Sequence, residues 1–471
     1  MPQRLSPTDV SMLAAEASNA PRHVATVAVL DPGADGFDYD QLVSSIHDRI
    51  AFVPRYRQRV MQPPGGWATP VWVDDDDFDL TYHVRRSALP RPGSMDQLRE
   101  LVARLVARAL DRDRPLWEAY IVEGLEGGRV ALLIKSHQAL VDGTDTVDLA
   151  QVLLEESPEV RDIPGENWHP ERTPTPLRLL ADSLADSARH PRRGALTVAG
   201  QAVAIGRRLP LPNRPGIAPD GPLWAAPSRQ RRFSTLATRL DDYRRVRDTN
   251  GGTINDVVLA AVAGGLRSWL LTRGEPVHPT SRLRALVPLS VVDDQAEPTS
   301  LGSHVRGHLL SLPIGESNPV VRLHQVSYSL KAHKATGQAV AANKLAALPG
   351  FAPTTFHALG ARLAQSNASN SYALVVTNVP GPQEPLYVAG ARMVETYPVL
   401  PLVEGHAIAI GVTSYEGGVF FGIDADRDAV PDADVFATCI GEALAELVDA
   451  GADDRQRAPR GRGKARGRAK P

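Results

Sequence analysis

Between Glu156 and Arg232 the regular recurrence of apolar residues stops. Prolines stand at 158, 164, 170, 174, 176 and 191 and then at close intervals from Pro210 to Pro227, interleaved with arginines. Proline fixes φ and donates no hydrogen bond, so no sheet can run through such a stretch and any helix in it must be short. A 471-residue chain interrupted in this way is expected to fold as two blocks joined by a long crossover, each block large enough to bury its own core. The expected divisions are 1–156, a crossover over 157–232, a second block over 233–450, and a basic tail over 451–471. Within the crossover only two helices are expected, near 177–188 and 196–205.

Both blocks read as mixed α/β. In the first, Val24–Leu30 (VATVAVL) is a β-branched run ended by Asp31-Pro32-Gly33, a buried strand and its turn. Tyr39–Ala51 repeats Leu42, Ile46 and Ile50 at four-residue spacing, and Met95–Ala109 places Leu98, Leu101, Val102, Leu105 and Val106 on one helical face. Arg129–Ile134 is an uninterrupted apolar strand. In the second block, Asp256–Leu271 is an apolar helix whose Gly264-Gly265 pair predicts close approach by another element. Strands are expected at Arg284–Val291, Leu309–Leu312 and Tyr372–Asn378, and a pair over His406–Ser414 and Gly418–Ile423 turning at Glu416-Gly417. Helices are expected at Val320–Ala335 and Pro431–Val448. The acidic run Asp74–Asp77 reads as a solvated loop rather than a metal site.

Charge narrows the class of partner. The chain holds 52 Lys+Arg against 54 Asp+Glu, but eight of the basic residues fall between Arg455 and Lys470 with no acidic residue among them. Without those eight the body carries 44 basic against 54 acidic residues, net −10, which argues against a nucleic-acid-binding body. The tail's composition predicts disorder and an affinity for anionic surfaces. A single cysteine, Cys439, excludes an internal disulfide. Met1–Pro21 lacks the apolar stretch of a signal peptide, and no segment reads as a spanning helix, so the expected location is the cytoplasm, at most peripheral to a membrane or a lipid droplet.

The chemistry is concentrated where the Arg129–Ile134 strand runs into KSHQALVDG. His137 is the side chain there whose ordinary pKa lies near neutrality, which makes it the candidate base. A histidine at a strand end is also commonly a satisfied polar group. Asp142 and Gly143 add a group able to fix an imidazole or brace a loop and a residue free to turn it. His304, His308, His357 and His406 have no partner at a diagnostic spacing and read as surface or core residues.

With these residues in view the chain resembles the bacterial wax ester synthase/acyl-CoA:diacylglycerol acyltransferases, a family related in fold to chloramphenicol acetyltransferase. Leu5-Ser6-Pro7-Thr8-Asp9 is similar to the family's opening, Pro54–Arg59 to its basic segment and Pro115-Leu116-Trp117 to its PLW motif. His137–Gly143 resembles the HHxxxDG active-site motif. Asn255-Asp256 resembles the ND motif, Val287–Ser290 a family strand, and Thr377–Pro382 (TNVPGP) the SNVPGP motif. The landmarks keep the family order from Leu5 to about Val448.

The resemblance implies a two-domain chloramphenicol acetyltransferase-like α/β fold, each half a mixed sheet with flanking helices and a channel between the halves. It implies transfer of a long-chain acyl group from acyl-CoA, as co-substrate, to diacylglycerol or a long-chain alcohol, without metal, resident cofactor or covalent enzyme intermediate. The implied active-site residues are His137, Gln138, Asp142 and Gly143, with Pro115, Leu116, Trp117, Asn255, Asp256, Asn378, Pro380 and Gly381 binding substrate or shaping the site. One position departs from the pattern. The family's general base is the second histidine of the motif, and here that position is Gln138, whose amide accepts no proton at neutral pH. Two expectations follow: His137 or a water relays the proton, or the chain binds acyl-CoA or lipid without full turnover. Adjacent strand residues point to opposite faces, so His137 can replace its neighbour only if the strand is irregular there.

Overall fold

A computed structural model of the chain describes residues 3–17, 19–63, 69–140, 149–161, 168–175, 178–179, 221–290, 305–335, 353–366 and 371–457. In chain order its strands are β1 (His23–Asp31), β2 (Gln58–Met61), β3 (Val71–Asp74), β4 (Val84–Ala88), β5 (Trp117–Glu123), β6 (Val130–His137), β7 (Arg231–Arg239), β8 (Leu283–Ser290), β9 (Val305–Leu312), β10 (Leu374–Pro380), β11 (Tyr387–Val388), β12 (Ala391–Val399), β13 (Ile408–Tyr415) and β14 (Gly418–Asp426). The helices are α1 (Pro7–Ala15), α2 (Tyr39–Arg49), α3 (Leu80–His83), α4 (Met95–Val106), α5 (Leu149–Leu153), α6 (Leu240–Asn250), α7 (Ile254–Thr272), α8 (Pro319–Ala335), α9 (Pro353–Ser366) and α10 (Ala433–Arg457).

Two six-stranded sheets carry the fold, one ordered β11-β12-β1-β6-β5-β4 and the other β7-β14-β13-β10-β8-β9. The first sheet is not made by the first block alone. β12 leaves the second block and pairs antiparallel with β1, Val27 opposite Tyr397 and Thr26 opposite Pro398, with an irregularity between Val29 and Leu30. Where it crosses, β12 lies so close to the second sheet that a Cβ on Gly422 would stand 1.8 Å from the Pro398 carbonyl oxygen, and one on Gly411 2.9 Å from the Pro398 ring. Both glycines are therefore required by the seam between the sheets.

Local sequence explains the elements. Ser94 and Gln97 close a capping box on α4, as Thr253 and Asp256 do on α7. The hairpin β13–β14 turns at Glu416 (φ 42°) and Gly417 (φ 75°), the two left-handed residues a tight hairpin with the strand twist requires. α7 is apolar on every face and long enough to cross a bilayer, yet it is buried in the second core. α10 and α8 pack on it: a Cβ on Gly265 would meet Ile440 Cγ1 at 2.6 Å, and one on Gly264 would meet Ala443 Cβ at 2.7 Å and Arg322 Nη2 at 2.5 Å. The close approach expected of the glycine pair is made by α10 and by the Arg322 side chain of α8.

The sequence reading assigns no element at α1, α3, α5, α6 or α9, nor at β2, β4, β5, β7, β11 or β12. At the C-terminus the helix continues through Arg457, seven residues into the stretch expected to be tail, and 458–471 lie outside the described residues. So do the two helices expected in the crossover, apart from residues 178–179. The acidic run serves as a docking edge for the start of the crossover, since Asp74 Oδ2 accepts from Glu171 N–H at 3.0 Å and Asp76 accepts from the Thr173 hydroxyl.

Candidate active site

β6 is the strand that carries the candidate motif, and it is regular to its end. His137 pairs with His23 across the sheet and donates its N–H to the Leu116 carbonyl at 2.9 Å; Gln138 donates its N–H to Arg22 O at 3.0 Å. The alternation of faces therefore holds through His137. Leu132 and Ile134 line a cavity between the sheets, and His137 points to the opposite face, with Lys135.

That face is packed shut. His137 is 1% exposed. Its Nδ1 accepts the Ala139 N–H at 3.0 Å, so the ring proton sits on Nε2, which is directed at Glu16 Oε2 3.8 Å away. Burial outweighs the pull of Glu16 and pushes the imidazole down to about 4, so it is neutral. The irregular strand end that would let His137 stand in for its neighbour is absent, and its one free lone pair is engaged by the backbone. Gln138 is fully buried, and neither its amide nitrogen nor its amide oxygen has a hydrogen-bond partner among the described residues. Its carbonyl accepts from Arg362 Nη1 of α9 at 3.1 Å, and Arg362 Nη2 binds Asp9 of the LSPTD opening at 2.8 Å. Asp142 and Gly143 lie outside the described residues.

The PLW residues brace this strand end from behind. Pro115 accepts the Trp117 N–H at 2.9 Å, Leu116 supplies the carbonyl that His137 uses, and Trp117 Nε1 donates to Tyr56 O at 2.7 Å. Trp117 also stacks on His83, ring centroids 4.6 Å apart. On the other sheet Asn378 Nδ2 donates to Asn255 Oδ1 at 3.0 Å, joining the NVPGP loop to the start of α7. Asp256 is occupied as a cap, accepting from Thr253 N–H at 2.9 Å and from the Ser327 hydroxyl at 2.7 Å. These residues hold elements in place; the cavity itself is lined by others.

The cavity has a volume of about 340 Å³ and a mostly apolar lining, the form of a small-molecule or acyl-chain site. Thr26, Ala28, Leu132 and Ile134 wall it from the first sheet, Met393 and Pro398 from β12, and Pro380 and Gly381 from the rim of β10. Gly381 is forced by space, since a Cβ would sit 2.3 Å from the Ser414 carbonyl oxygen. α9 brings His357 to the same cavity. His357 is 3% exposed, its Nδ1 lies 2.6 Å from Thr377 Oγ1 of β10, and its Nε2 has no partner among the described residues. Desolvation pushes it down to about 3. The sequence reading passed over this residue because its partner is twenty positions away on another element. His406 is a core residue, stacked on Tyr372 and bonded to the Tyr372 carbonyl at 2.9 Å. Among the described residues no group of three or more His, Cys, Asp or Glu side chains could hold a metal ion.

Two sheets coupled by a crossing strand, with an HQxxxDG segment at the end of a central strand and an apolar cavity between, define a protein of the two-lobed condensation-type fold. The first condensation domain of the CDA synthetase matches it over 96% of each chain at TM-score 0.55 and 15% identity, a likeness of fold alone. More particularly, residues 5–258 match the wax ester synthase/diacylglycerol acyltransferase catalytic domain and residues 301–448 the WS/DGAT C-terminal domain, so the chain belongs to the WS/DGAT family. The wax ester synthase/diacylglycerol acyltransferase from Marinobacter aquaeolei VT8 superposes over 96% of this chain and 100% of its own at TM-score 0.68, with 26% identity. From Mycobacterium tuberculosis, the "Probable diacyglycerol O-acyltransferase tgs1" is 35% identical over 458 residues, 94% of this chain and 95% of its own length. The one named tgs3 from the same organism is 44% identical over 260 residues, 52% of this chain and 96% of its own.

Proposed function

We propose that this chain is a diacylglycerol O-acyltransferase or wax ester synthase that joins a long-chain acyl group from acyl-CoA to the hydroxyl of diacylglycerol or of a long-chain alcohol. The observation that carries the reading is the apolar cavity between the sheets, rimmed by the TNVPGP loop and walled by the strand that bears the HQxxxDG segment. Such a lining accepts an acyl chain and excludes water, so that a thioester meets an alcohol instead of being hydrolysed. The reaction forms a bond from the alcohol oxygen to the thioester carbonyl carbon, breaks the carbon–sulfur bond and returns the alcohol proton to the departing thiolate.

Gln138 has a part in this that needs no proton transfer. Its buried amide offers an N–H donor for a carbonyl oxygen and a carbonyl acceptor for a hydroxyl, and neither has a partner among the described residues. In the binding-only alternative the same unpaired amide would hold acyl-CoA or lipid without turnover. The tail beyond Arg457 is basic, and we place the protein at the surface of an anionic membrane or lipid droplet on the cytoplasmic side, where a dissolved acceptor is reached.

The test is CoA release from palmitoyl-CoA by the purified full chain with dipalmitoylglycerol or hexadecanol. Wild-type turnover is expected, with a loss of about tenfold on Gln138→Ala, the scale of one lost hydrogen bond of about 1.4 kcal/mol. Retained palmitoyl-CoA binding with no ester formed would favour the binding-only reading. Equal flotation with anionic liposomes of the full chain and of one ending at Asp454 would sink the membrane role.

A further inference from the structure

Removal of the alcohol proton needs a lone pair that faces the reacting atoms, and the described residues of the motif do not supply one. Gln138 is an amide, and His137 turns its ring to Glu16 and spends Nδ1 on the Ala139 N–H. The described residues lining the cavity leave few alternatives. Tyr415 already donates to Met393 O at 3.0 Å and accepts the Leu386 N–H at 2.8 Å. Thr413 donates to Val379 O at 3.1 Å, Ser414 accepts the Gly381 N–H at 3.2 Å, and Glu156 is exposed to water.

What remains is His357. Resting on the acyl-transfer reading above, we propose that His357 is the general base of this protein, its Nε2 taking the acceptor hydroxyl proton and its Nδ1–H held by Thr377 Oγ1. The arrangement is a base with an orienting partner, as a proton-transfer dyad requires. With Nδ1–H donated to the threonine oxygen, Nε2 carries the lone pair and is the ring atom left unpartnered. α9 lies between the two sheets: Ala358 and Ala361 belong to the first core, while a Cβ on Gly360 would stand 2.7 Å from Pro288 Cγ and 2.8 Å from Thr377 Cγ2 of the second sheet. The same helix grips the end of β6 through Arg362 and the Gln138 carbonyl, five residues or about 7.5 Å of helical rise from His357. The base and the substrate-orienting amide are thus mounted on one tethered unit.

The step balances. The alcohol proton moves to Nε2 as the oxygen bonds to the carbonyl carbon; the imidazolium formed faces the negative charge growing on the carbonyl oxygen. Collapse breaks the carbon–sulfur bond, and Nε2–H delivers the proton to the CoA thiolate, leaving ester, free CoA and neutral His357. Burial keeps the ring unprotonated throughout the neutral range, so the accepting form is fully populated.

The experiment measures kcat and KM for palmitoyl-CoA and dipalmitoylglycerol on the full chain, wild type, His357→Gln and Thr377→Val, each with a melting curve. Glutamine at 357 keeps an amide for Thr377 and fills most of the ring's volume, so the variant is expected to melt within a few degrees of wild type. Its kcat should fall on the order of 100-fold or more with KM for palmitoyl-CoA within about threefold, the signature of a lost proton acceptor. Thr377→Val, which releases Nδ1, should lower kcat by roughly tenfold with the same KM split. A His357→Gln enzyme with kcat within threefold of wild type overturns the assignment while leaving acyl transfer intact, and so does a loss carried wholly by KM. A silent wild type overturns both the assignment and the acyl-transfer reading.

Discussion

Among the described residues four imidazoles are buried so deeply that desolvation is the largest influence on their protonation. His83 and His137 are pushed down to about 4, His357 to about 3, and His23 well below its ordinary value. In the unfolded chain each returns to about 6.5. Below that value the unfolded state binds more protons than the folded one, so stability is complete above about pH 6.5 and is lost as the pH falls towards the folded pKa values. Between pH 7 and pH 5 His83, His137 and His357 each remove about 1.8 kcal/mol, together about 5 kcal/mol, and His23 acts in the same direction.

Asp424 and Asp75, both raised by desolvation, work the other way. Asp424, buried beside Asp426 and Arg231, is raised to about 7 and becomes more stabilising as it protonates, returning about 2 kcal/mol over the same interval. The net loss from the three histidines and Asp424 is about 3 kcal/mol, a large part of the whole stability of many proteins. Urea denaturation followed by tryptophan fluorescence at pH 8, 7, 6 and 5 checks it: a flat region from 8 to 7, then a falling midpoint. His83→Gln, which keeps a donor for the Trp117 carbonyl now bonded at 2.8 Å, should reduce the slope between pH 6 and 5 by about 1.4 kcal/mol per pH unit. Stability at pH 5 within about 1 kcal/mol of that at pH 7, or an unchanged slope in the variant, would show that the buried histidines do not set the acid limit.

Three further outcomes are expected. Gly381→Ala must push its Cβ away from the Ser414 carbonyl oxygen 2.3 Å distant, so the cavity rim shifts and kcat/KM for palmitoyl-CoA should fall by roughly tenfold, the scale of a displaced positioning element. Trp117→Phe leaves the buried Tyr56 carbonyl without its 2.7 Å donor and should cost about 1–3 kcal/mol in a urea titration. Glu155→Gln strands Arg49, whose guanidinium is buried against that carboxylate, and should cost about 3–5 kcal/mol, far more than loss of an exposed pair such as Arg244–Asp241.

Much of the scaffold was legible because it rests on short-range rules. β1, β6 and the β13–β14 hairpin follow from β-branched runs and a two-residue turn, and α7 announces itself by its apolar run and its glycine pair. β12 was not legible as part of the first sheet, since a strand's partner is set by where the chain returns in space, and Pro398 in its sequence argues against a strand until the neighbouring Gly411 and Gly422 are seen to make room for it. The N-terminal helix and the Arg362–Asp9 pair, 353 residues apart in sequence, were invisible for the same reason.

The candidate site divides along that line. Strand alternation alone required His137 and Gln138 to face opposite ways, and the regular pairing of β6 through His137 turns that requirement into a chemical conclusion: the histidine of the motif faces Glu16, away from the cavity that Leu132 and Ile134 line. Sequence could not say what answers the missing base, because the cavity has two walls and only one of them carries the motif. A hydroxyl held between the sheets presents its proton to whichever wall offers a lone pair, and α9, tied to the end of β6 by Arg362 and to β10 by Thr377, is the element that both walls fix in position. Loss of an imidazole at the end of β6 therefore removes one route for the proton without removing the site, and the measurable consequence is that the penalty for substituting residue 357 should exceed that for substituting residue 138.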